Sequence, residues 1–468
     1  MHVGGVRTAL YSWLYARKHG GQFILRLEDT DKAREVEGSI GHIMECLKWL
    51  GIEWDESIDI GGPYAPYLQS ARLDSYRTYA RKLLDAGFAY PDPYTEEEVE
   101  AFRQKAEDEK RPFLYRNHRP ETEMEWDGTR TLRFKTPVIK RYEWDDAIRG
   151  PLSAGEEALD DFILIKGDGY PTYNFAHVID DIEMKITHVM RGEEFISSTP
   201  KFLSLYDALE HAPPVFATMP VILAADGKKK LGKRDGAKDL LEYRAEGYLP
   251  EAMVNFLALL GWNPGTEQEI FAIPELIGAF DLSRVQRSGA RFDEEKLLFM
   301  NREHMRMLSD EAFMARGDFA VSDPERLRKA LPLLKERSHT FLEARNMLDG
   351  ELSCLFVKPE LQAAMLVAKE PTGRNGLTKE ALRTCLALVQ ELPEDVSMED
   401  AKTHLMTFAD SQEALGKGGR GGVLWPLRYA LSGSERSPDP FTLIYILGPK
   451  ESTERISSAL QALSDILG

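Results

Sequence analysis

The chain has little cysteine: Cys46, Cys354 and Cys385 are the only three in 468 residues, far apart and with no C-x-x-C pair. A disulfide framework and a thiolate zinc pair are therefore not expected, and a reducing cytoplasmic setting fits. No apolar run reaches the roughly 20 residues that cross a bilayer, and the first segment lacks both the charged start and the uninterrupted apolar stretch of a signal peptide. A membrane role is not expected. Positive charge is in deficit, with 59 Lys and Arg against 77 Asp and Glu and a formal net charge of -18. That sum argues against indiscriminate adhesion to nucleic acid, but it leaves room for a local basic groove. No internal repeat is present, and no G-x-x-x-x-G-K-[ST] order marks a P-loop.

What is present suffices for several cores, since 43% of the residues are hydrophobic and 10% aromatic. Two to four domains are expected at this length. MHVGG opens onto VRTALYSWLYARK, an expected helix ending at His19-Gly20-Gly21, and QFILRLED follows as a strand. Ile40, Ile43, Met44, Leu47 and Leu50 keep helical spacing before Gly51 and the apolar IEW. Turn, helix, strand, helix, strand is the rhythm of a parallel α/β sheet. From about Pro91 the chain becomes charged and irregular, with TEEEVEAFRQKAEDEKR as a helix, as in an insertion. DFILIKGDGYPTYNFAHVID reads as a hairpin about Gly167-Asp168-Gly169, ITHVMRGEEF as a strand and KFLSLYDALE as a helix. Beyond the basic ADGKKKLGKRDGAK, a face of Met253, Phe256, Leu257 and Leu260 begins a helical half, broken by GKGGRGG and by the turn at Ser437-Pro438-Asp439-Pro440.

Single motifs decide little. In HVGG, Gly4 and Gly5 let a ligand approach the backbone, the helix start offers unpaired N–H groups to phosphate, and His2 can donate to a phosphate oxygen. Alone, the stretch reads first as a plain turn. Lys228, Lys229, Lys230, Lys233 and Arg234 crowd a glycine-containing loop that reads either as a solvated basic turn or as mobile cations for a triphosphate. LEDTD and RGEE place charge just after apolar strands, where parallel sheets face their ligands. There Glu28 and Asp31 can receive an ammonium group, and Arg191 can hold a carboxylate in its planar fork, although each alone reads first as a surface charge.

Order and spacing change the reading. HVGG, LRLEDTD, GYPTYNFAHVIDD, VMRGEEFISSTPK, KLGKRDG and EGYLPEAMVNFLALLGW closely resemble bacterial glutamyl-tRNA synthetase, a class I aminoacyl-tRNA synthetase, through nearly the whole chain, including PLRYALSGSERSPDPF. HVGG matches the HIGH signature of that class and Lys230-Leu231-Gly232-Lys233-Arg234 its KMSKS signature, with Gly232 where serine is usual. The resemblance implies an α/β fold: a Rossmann-type catalytic domain with an α+β insertion, then an all-α anticodon-binding region. The expected boundaries are 1–85 and 176–225 for the catalytic halves, 86–175 for the acceptor-binding insertion, 226–307 for the KMSKS-like loop and stem-contact region, and 308–370 and 371–468 for two helical anticodon-binding domains.

The same resemblance implies the site and its ligands. His2, Gly4, Gly5, Glu194, Lys230 and Lys233 belong to the ATP site, with His2, Lys230 and Lys233 catalytic. Glu28, Tyr173, His177 and Arg191 belong to the glutamate pocket, with Arg191 on the side-chain carboxylate. The activity implied is ATP-dependent ligation of L-glutamate to tRNA(Glu) through glutamyl-adenylate, with Mg²⁺ accompanying ATP. No zinc is expected, because AYPDPY and LYRNHRP offer no cysteine where many relatives carry zinc in the insertion. A monomer without a membrane partner is expected. Open alternatives are a form that also charges tRNA(Gln) and an inactive tRNA-binding relative, whereas the helical tail argues against a glutaminyl-tRNA synthetase and against a short tRNA-modifying paralogue. Relatives begin with a strand and a PSPTG-like turn ahead of HVGG. Their absence here leads to the expectation that the chain as written is N-terminally incomplete and poorly active.

Overall fold

The computed structural model describes residues 1–30, 38–122, 124–232, 238–367, 376–411, 416 and 418–467. It divides into two compact units, Met1–Arg244 with Pro250–Met300, and Ala245–Leu249 with Asn301–Gly468. The expected strand, helix and insertion pattern belongs to the first unit and the helical tail to the second.

In the first unit α1 (Val3–Lys18) starts at a His2 cap and ends at Gly20, whose φ of 64° is the left-handed conformation glycine takes readily. Arg7 of this helix is buried and donates to the carbonyls of Leu260 and Pro220, and Tyr11 donates to those of Ala258 and Leu260, so polar groups as well as Val6, Leu10 and Leu14 fix it in the core. α2 (Ser39–Trp49) and α3 (Leu73–Asp85) follow. The segment expected as an insertion carries β1 (Ala89–Pro91), α4 (Glu96–Asp108), β2 (Leu132–Phe134), the hairpin of β3 (Tyr142–Asp146) with β4 (Gly150–Ala154), and β5 (Ile163–Ile165). β1, β2 and β5 form an antiparallel sheet, and Thr95 with Glu98 closes a capping box that starts α4. His118 stacks on Phe102 at 4.2 Å between ring centroids and lies beside Phe113, an apolar setting that lowers its pKa.

The sheet resumes with α5 (Tyr173–Glu183), β6 (His188–Gly192), α6 (Thr199–Ala208) and β7 (Val215–Met219), in which β6 and β7 pair parallel. Phe134, Phe175, Phe202 and Leu205 pack between these helices and the sheets. Asp146 ties β3 to β7 by accepting from the Thr218 amide and hydroxyl. β8 (Ile222–Leu223), α7 (Leu240–Ala245), α8 (Pro250–Leu259), α9 (Ile273–Ala279), β9 (Ala290–Arg291) and α10 (Glu294–Met307) complete the series, with β8 parallel to β9.

Three expected elements differ. The segment expected as the strand QFILRLED forms only isolated parallel bridges, Ile24 to Glu56 and Leu27 to Leu68, because one edge alone is paired: the Leu25 and Leu27 amides donate to the Glu56 and Tyr67 carbonyls. IEW likewise forms no strand. The hairpin expected about Gly167-Asp168-Gly169 is only half formed, since β5 meets Pro171 in a single bridge and the second arm is helix α5. The ladder ends just past Pro171, where the Thr172 amide still donates to the Leu164 carbonyl at 2.9 Å, and Phe175, Val178 and Ile179 beyond it form a helical apolar face.

The second unit is helical. Asp323, Thr340, Ser397 and Asp439 cap Pro324–Arg337, Phe341–Asp349, Met398–Ala409 and Pro440–Leu447. Arg455, fully buried in Pro449–Leu467, donates to the Leu431 carbonyl and pairs with Glu451, which also takes Arg326 at 2.6 Å. That network holds the helices of this unit together by charge as well as by apolar contact.

Candidate active site

A cleft of about 830 Å³ opens between the segment Phe23–Arg26, the C-terminal half of α1, α5 and β6. Four expected residues, Glu28, Tyr173, His177 and Arg191, all line it. Arg191 sits on β6 and is 8% exposed. Its guanidinium lies 4.7 Å from the Phe202 ring centroid, 4.9 Å from Phe216 and 5.3 Å from Phe195. Neither Nη atom has a hydrogen-bond partner among the described residues, and burial lowers its pKa, the Tyr173 hydroxyl and Asp181 opposing. A desolvated cation facing a cleft without a carboxylate on it is a binding group awaiting an anion.

The other wall carries the negative charge. Arg26 donates to Asp181 at 2.8 Å and to Glu28 at 3.0 Å, which leaves the exposed Glu28 carboxylate fixed at the rim. Tyr173 is half-open to solvent with its hydroxyl turned inward, and burial together with Glu28 pushes that hydroxyl up to about 12. His177 stacks on Tyr173 at 4.7 Å, and its Nδ1 donates to the Tyr173 carbonyl at 2.7 Å. The carbonyl only accepts, so the proton is on Nδ1 and Nε2 is bare. Burial pulls its pKa down to about 3, with Arg191 adding to the shift. The unfolded chain binds this proton near pH 6.5 and the folded chain only near 3, so stability is fully present above about pH 6.5 and falls as pH drops. At pH 5 the loss is about 2 kcal/mol. Urea unfolding of wild type and His177→Gln between pH 7 and 5 should show a shallower decline in the variant, and equal declines would refute a neutral buried His177.

The residues expected at ATP lie on other elements. His2 caps α1 by accepting from the Gly4 amide at 3.0 Å, and a Cβ on Gly4 would meet the imidazole at 2.8 Å, so glycine is required for the cap. With Nδ1 accepting, the ring proton is on Nε2. His2 also bridges Asp239 in the chain that follows the basic loop. Glu194 and Lys230, expected in the same site, approach to 3.9 Å, both more than half exposed. Lys233 and Asp31 lie outside the described residues. Two cleft residues escaped the sequence reading, Arg26 and Asp181, and so did Tyr206 behind Arg191, whose buried hydroxyl lies close enough to affect it. The paired acids of VIDD were the available signal for Asp181; nothing in the local pattern marks Tyr206.

Parallel pairing of β6 with β7, helix α1 starting at HVGG and RGEE at the end of β6 accord with the catalytic domain of a class I aminoacyl-tRNA synthetase. Residues 1–299 match the family of tRNA synthetases class I (E and Q), catalytic domain, and residues 302–460 match an anticodon binding domain. The glutamate–tRNA ligase of Carboxydothermus hydrogenoformans is 42% identical, over 97% of this chain and 96% of its own, and glutamate–tRNA ligase 2 of Rubrobacter xylanophilus is 39% identical over 99% and 95%. A crystal structure of a glutamate tRNA ligase from Elizabethkingia meningosepticum, in complex with its amino acid, superposes with a TM-score of 0.86 at 36% identity, covering 99% of this chain and 97% of that one. The chain belongs to the glutamate–tRNA ligase family, and its activity is the charging of glutamate onto tRNA(Glu).

Proposed function

We propose that the cleft holds L-glutamate with its side-chain carboxylate on Arg191 and its ammonium group toward Glu28. The observation that carries this reading is the buried, unpaired fork of Arg191 facing a wall with fixed negative charge. Tyr173 and His177 shape the space between the two charges. This places the α-carboxylate to attack the α-phosphorus of ATP, forming glutamyl-adenylate as pyrophosphate leaves. The terminal ribose hydroxyl of the tRNA then attacks the acyl carbon and AMP leaves.

ATP would lie at the start of α1, where His2 and the close-approach backbone of Gly4 and Gly5 suit a phosphate. Lys230 and Lys233 would neutralise the charge that grows on the departing pyrophosphate, so this chain supplies position and field rather than a covalent intermediate. Mg²⁺ would come as the companion of the ATP phosphates, and Glu194 beside Lys230 is the described carboxylate suited to face it. The helical second unit would read unpaired anticodon bases by stacking and hydrogen bonding. A cytoplasmic location accords with this role, and no helix among the described residues is long and apolar enough to cross a membrane.

The test is pre-steady-state formation of glutamyl-adenylate. Lys233→Ala should slow it by about 10²-fold or more while glutamate affinity changes little, because the lysine acts mainly in the transition state. An unchanged rate would remove Lys233 from this role.

A further inference from the structure

Outside the cleft, His42, Cys46 and Asp239 bring one donor atom each to within 4.8 Å of one another. His42 and Cys46 are four residues apart on one face of α2. Asp239 arrives from the start of α7, held there because its carboxylate accepts from the Leu241 amide at 3.0 Å and the Leu240 amide donates to the Met1 carbonyl. His42 Nε2 lies 2.9 Å from Asp239 Oδ2, and Cys46 Sγ lies 3.7 Å from His42 Nε2.

We infer that His42, Cys46 and Asp239 form a site for a thiophilic divalent cation of the zinc or cobalt type, joining α2 to the segment that follows the basic KLGKR loop. Around tetrahedral zinc, with bonds of about 2.0–2.3 Å, neighbouring donors stand roughly 3.3–3.6 Å apart. The 2.9 Å between His42 and Asp239 and the 3.7 Å between Cys46 and His42 lie close to that spacing, and all three donors stand within 4.8 Å of one another, so a modest side-chain adjustment closes them on one ion. The donor set selects the metal: thiolate with imidazole and carboxylate suits Zn²⁺ or Co²⁺, whereas Mg²⁺ and Ca²⁺ require oxygen ligands. A fourth position remains for water. Cys46 releases its thiol proton to solvent as its sulfur binds the metal, and no electron is transferred. The expectation of no zinc rested on the absence of paired cysteines in the insertion. This site uses one cysteine of a different helix and an aspartate almost two hundred residues away, a combination that no local spacing reveals.

The experiment is titration of the metal-stripped full chain with ZnCl₂ and, separately, CoCl₂. One equivalent of zinc should survive dialysis. The cobalt form should show a near-ultraviolet thiolate-to-metal absorption together with visible bands typical of four-coordination. Cys46 is fully buried, so Cys46→Ser is paired with His42→Gln at a half-exposed position, and Asp239→Asn keeps the oxygen that caps Leu241. His42→Gln and Asp239→Asn should each weaken zinc binding at least tenfold, and Cys46→Ser should abolish the charge-transfer band. Cys385→Ser, at a buried cysteine in the second unit, should alter neither signal. Absence of stoichiometric metal in the wild type overturns the site, as does zinc affinity unaffected by both His42→Gln and Asp239→Asn.

Discussion

Replacing Arg191 by methionine should lower kcat/KM for glutamate activation by more than about 100-fold, close to 3 kcal/mol, while raising the melting temperature of the free protein. The two effects share one cause. In the absence of substrate, the guanidinium is buried beside Phe195, Phe202 and Phe216 with neither Nη hydrogen-bonded to a described residue, so it destabilises the fold that holds it. Methionine fills much of the volume without the charge. Glutamate supplies the missing carboxylate, so it should raise the melting temperature of the wild type and leave that of the variant unchanged. Arg191→Lys should recover little activity, because a point charge lacks the planar fork. The preference for glutamate over glutamine should also collapse in the methionine variant, since an uncharged amide does not need the cation. Differential scanning fluorimetry with and without glutamate, alongside ATP–pyrophosphate exchange, checks all of this. A variant that melts lower than wild type yet still responds to glutamate would show that the arginine serves the fold and not the substrate.

This opposition between stability and function explains which parts of the molecule were legible in the sequence. α1, α2, α4, α6 and α8 follow from helical spacing, with side-chain caps from His2 on α1 and Thr95 on α4, because there the local preference and the buried face agree. Glu28, Tyr173, His177 and Arg191 were singled out by motif order, and they line one cleft because α5 and β6 are consecutive and Phe23–Arg26 runs alongside them. Where strand formation depends on a neighbour, the pattern misleads. QFILRLED has the alternation of a strand, yet only one of its edges is paired. GYPTYNF resembles the return arm of a hairpin, yet the ladder stops once the Thr172 amide has reached the Leu164 carbonyl, and the apolar face beyond it is helical. Groups joined across long separations were silent altogether, including Tyr206 near Arg191, Asp239 beside His42, and Asp180, buried against Arg72.

Asp180→Ala should be among the most destabilising single changes in the first unit, at about 3–5 kcal/mol, with a fall in melting temperature on the order of 10 °C. Asp180 has no solvent exposure. It accepts from Arg72 Nε at 2.7 Å, from Gln69 Nε2 at 2.9 Å and from the Tyr76 hydroxyl at 2.9 Å, and Arg26 Nε stands 3.5 Å away. Arg72 in turn donates to the Pro66 carbonyl at 3.1 Å and pairs with Glu183. Removing the carboxylate leaves a buried guanidinium and a buried amide without their acceptor, which costs far more than the hydrogen bonds contribute. Tyr76→Phe, which deletes one donor and leaves the charge pair intact, should cost only about 1 kcal/mol. The comparison also separates fold from chemistry, because Asp181, the next residue, faces the cleft and receives Arg26 there. Asp180 thus fixes the helix whose neighbouring turn holds Arg26, and through Arg26 the Glu28 carboxylate, in place. Urea unfolding of the two variants decides the matter: a cost for Asp180→Ala no greater than that for Tyr76→Phe would mean that the arginines find other partners and that Asp180 is not the anchor of α5.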